Sequence, residues 1–378
     1  MNDLQKNLKL GIVGGGQLAK MMLQVAQRLG LYAGILDPSR DCPAASVAHK
    51  YTEASFSDGK AILEFANDFD FVTYDLEHVD VSQLLNEGSK VKEKFFPRPE
   101  TLSLIQDKLV QKQFYLSHDL PTAKLLQVKD IQYPCIWKAR KGGYDGYGVA
   151  QLKSKEDFLN LKDKVPYLLE EKINIQKELS VVVARGKDGQ MVYYPVVEIL
   201  VDQEKNILDR SCSPAQINDE IASQAIALAL KVVEKLEGVG LFAIELLLDE
   251  NDQIFINEIA PRPHNSGHHT IEGFNVSQFE LHLRAVCGVP LIQPVANKAY
   301  CGALNLLADP SYKGEVEIMG FSQAMSMQNV FLHIYGKRQA KPGRKMGHVT
   351  VLADSYEELM QRIDQLKQVI NVRGKEKI

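Results

Sequence analysis

A parallel α/β unit followed by a larger α+β region is the architecture this sequence predicts, and three observations carry it. The first hundred residues alternate short apolar runs with helically spaced ones, as a parallel sheet with covering helices requires. The middle third is rich in strand-like runs joined by short turns such as Lys187-Asp188-Gly189, the pattern of antiparallel sheets. At 378 residues the chain is too long for one ordinary core, so two or three domains are expected.

Residues 8–13 are a short apolar run broken by Gly14-Gly15-Gly16, and 17–29 space Leu18, Met21, Met22 and Val25 as one face of a helix. Strands at 32–36 and 71–74 and a helix at 59–67 continue the alternation, and Pro97 and Pro99 close a first domain of residues 1–98. A helix over 100–118 carries Leu102, Ile105, Leu109 and Phe114, and Pro121 ends it. Strands follow at 135–139, 167–170, 179–185 and 191–198, then one long helix at 214–236. A hairpin at 241–259, turning at Asn251-Asp252, and a helix at 276–286 lead to Pro290 and Pro294, which end a second domain of residues 99–294. The third, 295–378, holds strands at 302–306 and 348–352, a basic loop at 336–345 and a helix at 356–369; its basic tail, 373–377, is expected to be disordered.

With 45% hydrophobic and 24% charged residues the chain has the makeup of a soluble globular protein. A formal net charge of −4 leaves no global basic field, which argues against non-specific binding to nucleic acid or an anionic membrane. An anionic ligand must therefore meet local cations. Five scattered cysteines without a CxxC pair argue against a disulfide framework or zinc knuckle. With no apolar run of signal-peptide or membrane-span length, a cytoplasmic location is expected.

Gly14-x-Gly16-x-x-Ala19 follows a strand and opens a helix, and Asp37 ends the next strand, which satisfies the dinucleotide fingerprint. Alone it suggests a nicotinamide-dependent oxidoreductase. Another phosphorylated ligand would serve equally, and so would a glycine turn with no ligand.

The remaining chemistry lies elsewhere. Lys138 stands at a strand end before a loop with four glycines between Gly142 and Gly148, which suits a backbone cradle for a triphosphate; a mobile hairpin is the alternative. Glu170-Glu171-Lys172-Ile173, with Glu178 beginning the next strand, suits a linker along an adenine edge, although such clusters are usually solvated surface. Glu245 and Glu258 fall opposite each other across the hairpin and project to one face. Two facing carboxylates call for a cation, and magnesium fits best; the alternative is a protonated carboxyl or a lysine partner. Arg262, His264, Asn265 and Ser266 crowd a proline-pinned loop after the second carboxylate and suggest donors for an anionic intermediate.

Gly15-Gly16-Gln17-Leu18, Gln106-Asp-Lys108-Leu with Gln111-Lys112, Gly142-Gly-Tyr-Asp-Gly146, Asn257-Glu-Ile-Ala-Pro-Arg-Pro-His-Asn-Ser-Gly-His268 and Pro342-Gly-Arg-Lys-Met-Gly-His348 together resemble the N5-carboxyaminoimidazole ribonucleotide synthetases. The resemblance runs through almost the whole chain in order. It implies an ATP-grasp fold with an N-terminal Rossmann-like (pre-ATP-grasp) domain and a small C-terminal domain. It also implies a ligase that joins 5-aminoimidazole ribonucleotide to bicarbonate at the expense of ATP, through carboxyphosphate, in purine biosynthesis.

By this resemblance, ATP is held by Lys108, Lys138, Gly143, Tyr144, Asp145, Gly146, Tyr147, Gly148, Val149, Glu170, Glu171, Lys172, Ile173, Glu178, Asn257 and Glu258. Glu245 and Glu258 take magnesium, or manganese in its place. Arg262, His264 and Asn265 hold the intermediate and Asp145 orients the amine, while Gln17, Glu77, Lys337 and Arg344 bind the ribonucleotide. The same resemblance implies a homodimer. Two positions depart from the family pattern, Tyr147 where a basic residue is usual and Val201 where histidine is common. The rival readings are another ATP-grasp ligase, such as a formate-using glycinamide ribonucleotide transformylase or a carboxylase acting on biotin, a Rossmann oxidoreductase, and a non-catalytic nucleotide sensor.

Overall fold

The computed structural model describes residues 8–86, 90–143, 148–202 and 207–378, without the side chains of 202 and 207. At the N-terminus, four parallel strands lie in the order Lys50–Thr52, Tyr32–Leu36, Lys9–Val13 and Phe71–Tyr74. The helix Gln17–Arg28 buries Leu18, Met21, Met22 and Leu23 on this sheet. The same apolar cluster takes in Phe279, Leu283 and Val286, from the helix Gln278–Cys287 of the central region. That helix also buries Leu281 and Ala285 in the core of the central sheet, so it joins the two units.

Two antiparallel sheets form the central region. The smaller has the order Leu125–Leu126, Tyr167–Glu171, Cys135–Ala139 and Val149–Leu152. In the larger, the hairpin Ile254–Ala260 and Gly240–Asp249 stands at one edge, followed by Ile175–Arg185, Val197–Asp202 and Ile207–Ser213. This sheet does not stop at the expected domain boundary. Ile207–Ser213 pairs with Tyr300–Leu307, which pairs with Lys345–Ala353 and, through it, Val330–Ile334. The C-terminal unit thus extends the central sheet, and the helix Tyr356–Val369 buries Leu359, Ile363 and Leu366 against it.

Four expectations need correction. The helix over 100–118 is two helices, Pro99–Gln106 and Lys108–Ser117, because Asp107 has extended backbone and its carboxylate caps the second by accepting from the amides of Leu109 and Val110. The run 191–198 divides into Met191–Tyr193 and the start of Val197–Asp202. The long helix begins at Asp219 and not at Pro214, with Asn218 accepting from the Ile221 amide. The tail is ordered: Asn371–Lys377 pairs with Tyr312–Met319, and Arg373 and Lys375 meet Glu317 and Glu315 across the pair. Among the described residues, no helix is long and apolar enough to cross a membrane.

Candidate functional site

Glu245 and Glu258 are paired across the hairpin, as the sequence requires, but by a different route. The turn holds three residues, 250–252, with Asp249 accepting from the amides of Asn251 and Gln253 and Asp252 at φ +60°. Such a turn alone would set Glu245 opposite Asn257. A β-bulge between Leu246 and Glu245 inserts one residue in the facing strand and restores Glu258 as the partner. Successive strand residues ordinarily face opposite ways, and the bulge lets Asn257 and Glu258 share one face. The Asn257 amide accordingly donates to Glu245 at 3.3 Å and accepts from Lys138 at 3.0 Å.

Cations surround this pair. Lys108, the first residue of its helix, contacts Glu258, and Lys138 and Lys112 grip the two oxygens of buried Glu170 at 2.8 and 2.6 Å. Burial works against ionisation of Glu258 and of Glu170, but Lys108 at the first and Lys138 with Lys112 at the second hold both carboxyls below the ordinary range. Glu245 is pushed up instead, by burial, Glu258 and Glu178. Such a carboxyl gains from a cation. Among the described residues no three His, Cys, Asp or Glu side chains are grouped to hold a metal by themselves. The hard oxygens of Glu245 and Glu258 suit magnesium, with ligand phosphates or water completing its shell.

The pair forms one wall of a cavity of about 460 Å³. Lys138, Val149, Glu170, Glu171, Lys172, Ile173 and Glu178 line it, beside apolar walls from Ile136, Ile175, Val201, Leu208 and Leu247 that could enclose a flat base. Gly143 and Gly148 flank the glycine loop, and Gly148 has a φ of +79° that favours glycine. Tyr144, Asp145, Gly146 and Tyr147 lie outside the described residues.

A second cavity, of about 400 Å³, opens on the other side. Gln17, Glu77, His78, Arg140, Arg262 and Lys345 are among its lining residues. Arg262 reaches Glu77 at 2.8 Å across the join between the N-terminal and central units. His264 stands 3.5 Å from Glu245; burial and then Arg262 push it down to about 4, so it is neutral near pH 7. Lys108, Glu258, His264, Asn265 and Lys345 line both cavities. The Asn265 amide nitrogen is buried with no hydrogen-bond partner among the described residues, which points to a ligand acceptor.

The N-terminal glycine turn is occupied from within. Asp37 accepts from the Gly15 amide at 2.8 Å, and Asp75 accepts from those of Gly16 and Ala19 at 2.6 and 2.8 Å. A Cβ on Gly16 would lie 2.4 Å from Asp75 Oδ2. The fingerprint is therefore a structural turn whose amides are spent on carboxylates, and a dinucleotide pyrophosphate would meet negative charge there.

Of the basic loop, Lys345 reaches the cavities. Lys337 and Arg344 are not among their lining residues; Lys337 donates to the Lys345 carbonyl at 2.6 Å and Arg344 to that of Gln339 at 2.9 Å. Sequence reasoning assigned no site role to Lys112, Asp75, Arg140 or Lys345. Lys112, Arg140 and Lys345 lay inside motifs already singled out, whereas Asp75 carried no local signal. Arg140 is set by two bonds to Asp107, at 3.0 and 2.7 Å, the same carboxylate that caps the helix bearing Lys108.

A small antiparallel sheet that sets Lys138 and Glu170 across a cavity from paired carboxylates on a larger sheet is the arrangement of an ATP-grasp enzyme. The ATP-grasp domain family matches residues 104–279, the ribonucleotide synthetase preATP-grasp domain 7–106, and the phosphoribosylaminoimidazole carboxylase C-terminal domain 301–362. An N5-carboxyaminoimidazole ribonucleotide synthase of Staphylococcus aureus is 35% identical over 95% of this chain and 96% of its own length. The crystal structure of N5-carboxyaminoimidazole ribonucleotide synthetase from Thermotoga maritima superposes with a TM-score of 0.88 at 39% identity, covering 97% of this chain and 100% of that one. An Aspergillus clavatus N5-carboxyaminoimidazole synthase, in complex with ADP and 5-aminoimidazole ribonucleotide, gives 0.86 at 31% identity, covering 96% and 98%. The chain belongs to the N5-carboxyaminoimidazole ribonucleotide synthase family.

Proposed function

We propose that this enzyme couples ATP cleavage to carboxylation of 5-aminoimidazole ribonucleotide by bicarbonate, in purine biosynthesis. The observation that carries this reading is the wall shared by the two cavities. A group activated in the cavity lined by Lys138 and Glu170 can be handed to a second ligand across Glu258, His264 and Asn265, which line both cavities. Bicarbonate oxygen attacks the γ-phosphorus of ATP and releases ADP. The substrate amine then takes the carboxyl carbon of the resulting carboxyphosphate, and inorganic phosphate departs.

Magnesium, or manganese, held by Glu245 and Glu258, would neutralise charge on the transferring phosphoryl group. The chain's own part is positioning. Lys138 is fixed by Glu170 and Asn257 so that its ammonium faces the cavity as a point charge. Neutral His264 can donate to or accept from the carboxyl group without adding charge. Gln17, Glu77 and Arg262 are the candidate ribonucleotide contacts from the cavity wall, with Lys337 and Arg344 proposed for its phosphate and Asp145 for its amine. The reading includes a homodimer acting in the cytoplasm, the latter supported by five free cysteines.

The test is ADP release from ATP and bicarbonate with and without 5-aminoimidazole ribonucleotide. Release that requires the ribonucleotide and yields an acid-labile carboxylated product is expected. Release indifferent to it, or driven instead by formate or biotin, overturns the assignment. Nicotinamide fluorescence should stay unchanged on titration with the protein.

A further inference from the structure

Gln278 opens the helix Gln278–Cys287 and is completely buried. Its Oε1 accepts the His264 amide at 2.9 Å, and its Nε2 donates to the His264 carbonyl at 2.8 Å. These two bonds orient the amide, since oxygen must face the N–H and nitrogen the C=O. The same Nε2 lies 3.2 Å from Nδ1 of His268. It is the donor there, so Nδ1 is an acceptor and the ring proton of His268 sits on Nε2.

Gly267 lies against the same amide. A Cβ at that position would stand 2.4 Å from Gln278 Oε1, so the glycine between the clamped residues is what lets the amide approach. Stacked rings fix the plane of the imidazole: Phe279 at 5.9 Å and His348 at 4.5 Å. His348 stacks in turn on His333 at 4.3 Å, and Lys345 and His264 also face His268. Protonating His268 would set a cation against this column with Nδ1 already committed as an acceptor.

We propose that Gln278 is a positioning residue for the ribonucleotide site: its amide fixes the loop between His264 and His268 and holds His268 as the Nε2–H form. His268 then presents an N–H donor to a ligand oxygen in the cavity of about 400 Å³ that it lines. The proposal rests on reading that cavity as the ribonucleotide site.

Ring nitrogen NMR of the full-length, 15N-labelled protein, with His268 assigned by comparison with His268→Asn, reads the tautomer directly. A bare Nδ1 and a protonated Nε2 near neutral pH are expected, and the Nε2 resonance should move on addition of 5-aminoimidazole ribonucleotide. A protonated Nδ1, or an Nε2 signal indifferent to the ribonucleotide, overturns the proposal. Gln278→Glu keeps the shape but puts an acceptor where the donor was. It should move a proton onto Nδ1 and raise the ribonucleotide KM about tenfold, the effect of one lost buried hydrogen bond, with a smaller rise in the ATP KM because His264 also lines the other cavity. Equal weakening of both substrates, or an unchanged ribonucleotide KM, counts against it. Should that variant not fold, the wild-type spectra decide. Should the wild type fail to turn over the ribonucleotide, the functional reading falls while the unliganded spectrum still judges the clamp.

Discussion

The Lys108 ammonium contacts Glu258 while Glu245, directly opposite, is met by the uncharged Asn257 amide, so a cation sits beside one of the two facing carboxyls and a neutral group beside the other. Glu258 is held ionised by Lys108 and is the proposed anchor for a metal ion. Glu258→Gln should abolish ATP turnover while the urea midpoint stays near that of the wild type. Glu245→Gln should be impaired less, because water can replace one ligand in a magnesium shell. Normal turnover with ordinary magnesium dependence in Glu258→Gln removes that residue from the metal site.

Lys112 supports the site from below. Its ammonium is buried and donates to Thr122, the Ala123 carbonyl and Glu170, and Glu170 in turn holds Lys138. Lys112→Met leaves Glu170 with one cation fewer and should cost about 3–5 kcal/mol, the usual penalty for breaking a buried pair. Adding Glu170→Gln should return part of that loss in a double-mutant cycle. Strictly additive losses in urea denaturation would show that the two side chains do not act as a pair.

Acid should unfold the protein early. Burial, first among the causes, pushes His268 and His348 well below their ordinary range and His282 down to about 3. His282 Nδ1 accepts the Leu241 amide and its Nε2 lies 2.7 Å from the Thr73 hydroxyl, which suits a neutral ring. The unfolded state therefore binds more protons than the folded one once pH falls below the unperturbed value of about 6.5. This stability is complete above that value and is lost steadily as pH drops toward 3. Denaturant midpoints that stay level between pH 7 and 5 would contradict it.

The basic loop offers a contrast between neighbours. Lys345 lines both cavities, so Lys345→Ala should raise the KM for ATP and for the ribonucleotide together. Arg344→Ala should raise the ribonucleotide KM with ATP affinity nearly unchanged if its guanidinium leaves the Gln339 carbonyl to grip phosphate. A silent Arg344→Ala beside a damaged Lys345→Ala transfers the phosphate role to Lys345.

The sequence revealed the opposition of Glu245 and Glu258 because hairpin pairing follows from counting. It concealed the bulge at Asn257, since an inserted residue leaves no mark in an apolar alternation, and two unrecognised features cancelled to give the right register. The helix break at Asp107 was legible in principle: an aspartate before Lys108-Leu109 is a good cap, but the apolar spacing on either side masked it. Asp75 could not be foreseen, because residue type does not reveal which acceptor fills the amides of a glycine turn. The tail misled because its charges suggested solvation, whereas Arg373 and Lys375 pair with Glu317 and Glu315 on the neighbouring strand.

The sheet that begins at the carboxylate hairpin continues through Ile207–Ser213 into Tyr300–Leu307 and Lys345–Ala353. A hydrogen-bonded ladder resists hinging across its strands, so Lys345 and Glu258 belong to one stiff body and hold their spacing whether or not a ligand is present. The four-stranded sheet carrying Lys138 and Glu170 meets this body at side-chain contacts such as Lys138 with Asn257 and at the short bridge of Thr122 to Ile256, so it is the part expected to move when nucleotide binds. In mechanical terms the arrangement is an anvil with one jaw free to move, and slow opening of that jaw is the step to examine when ADP release limits turnover.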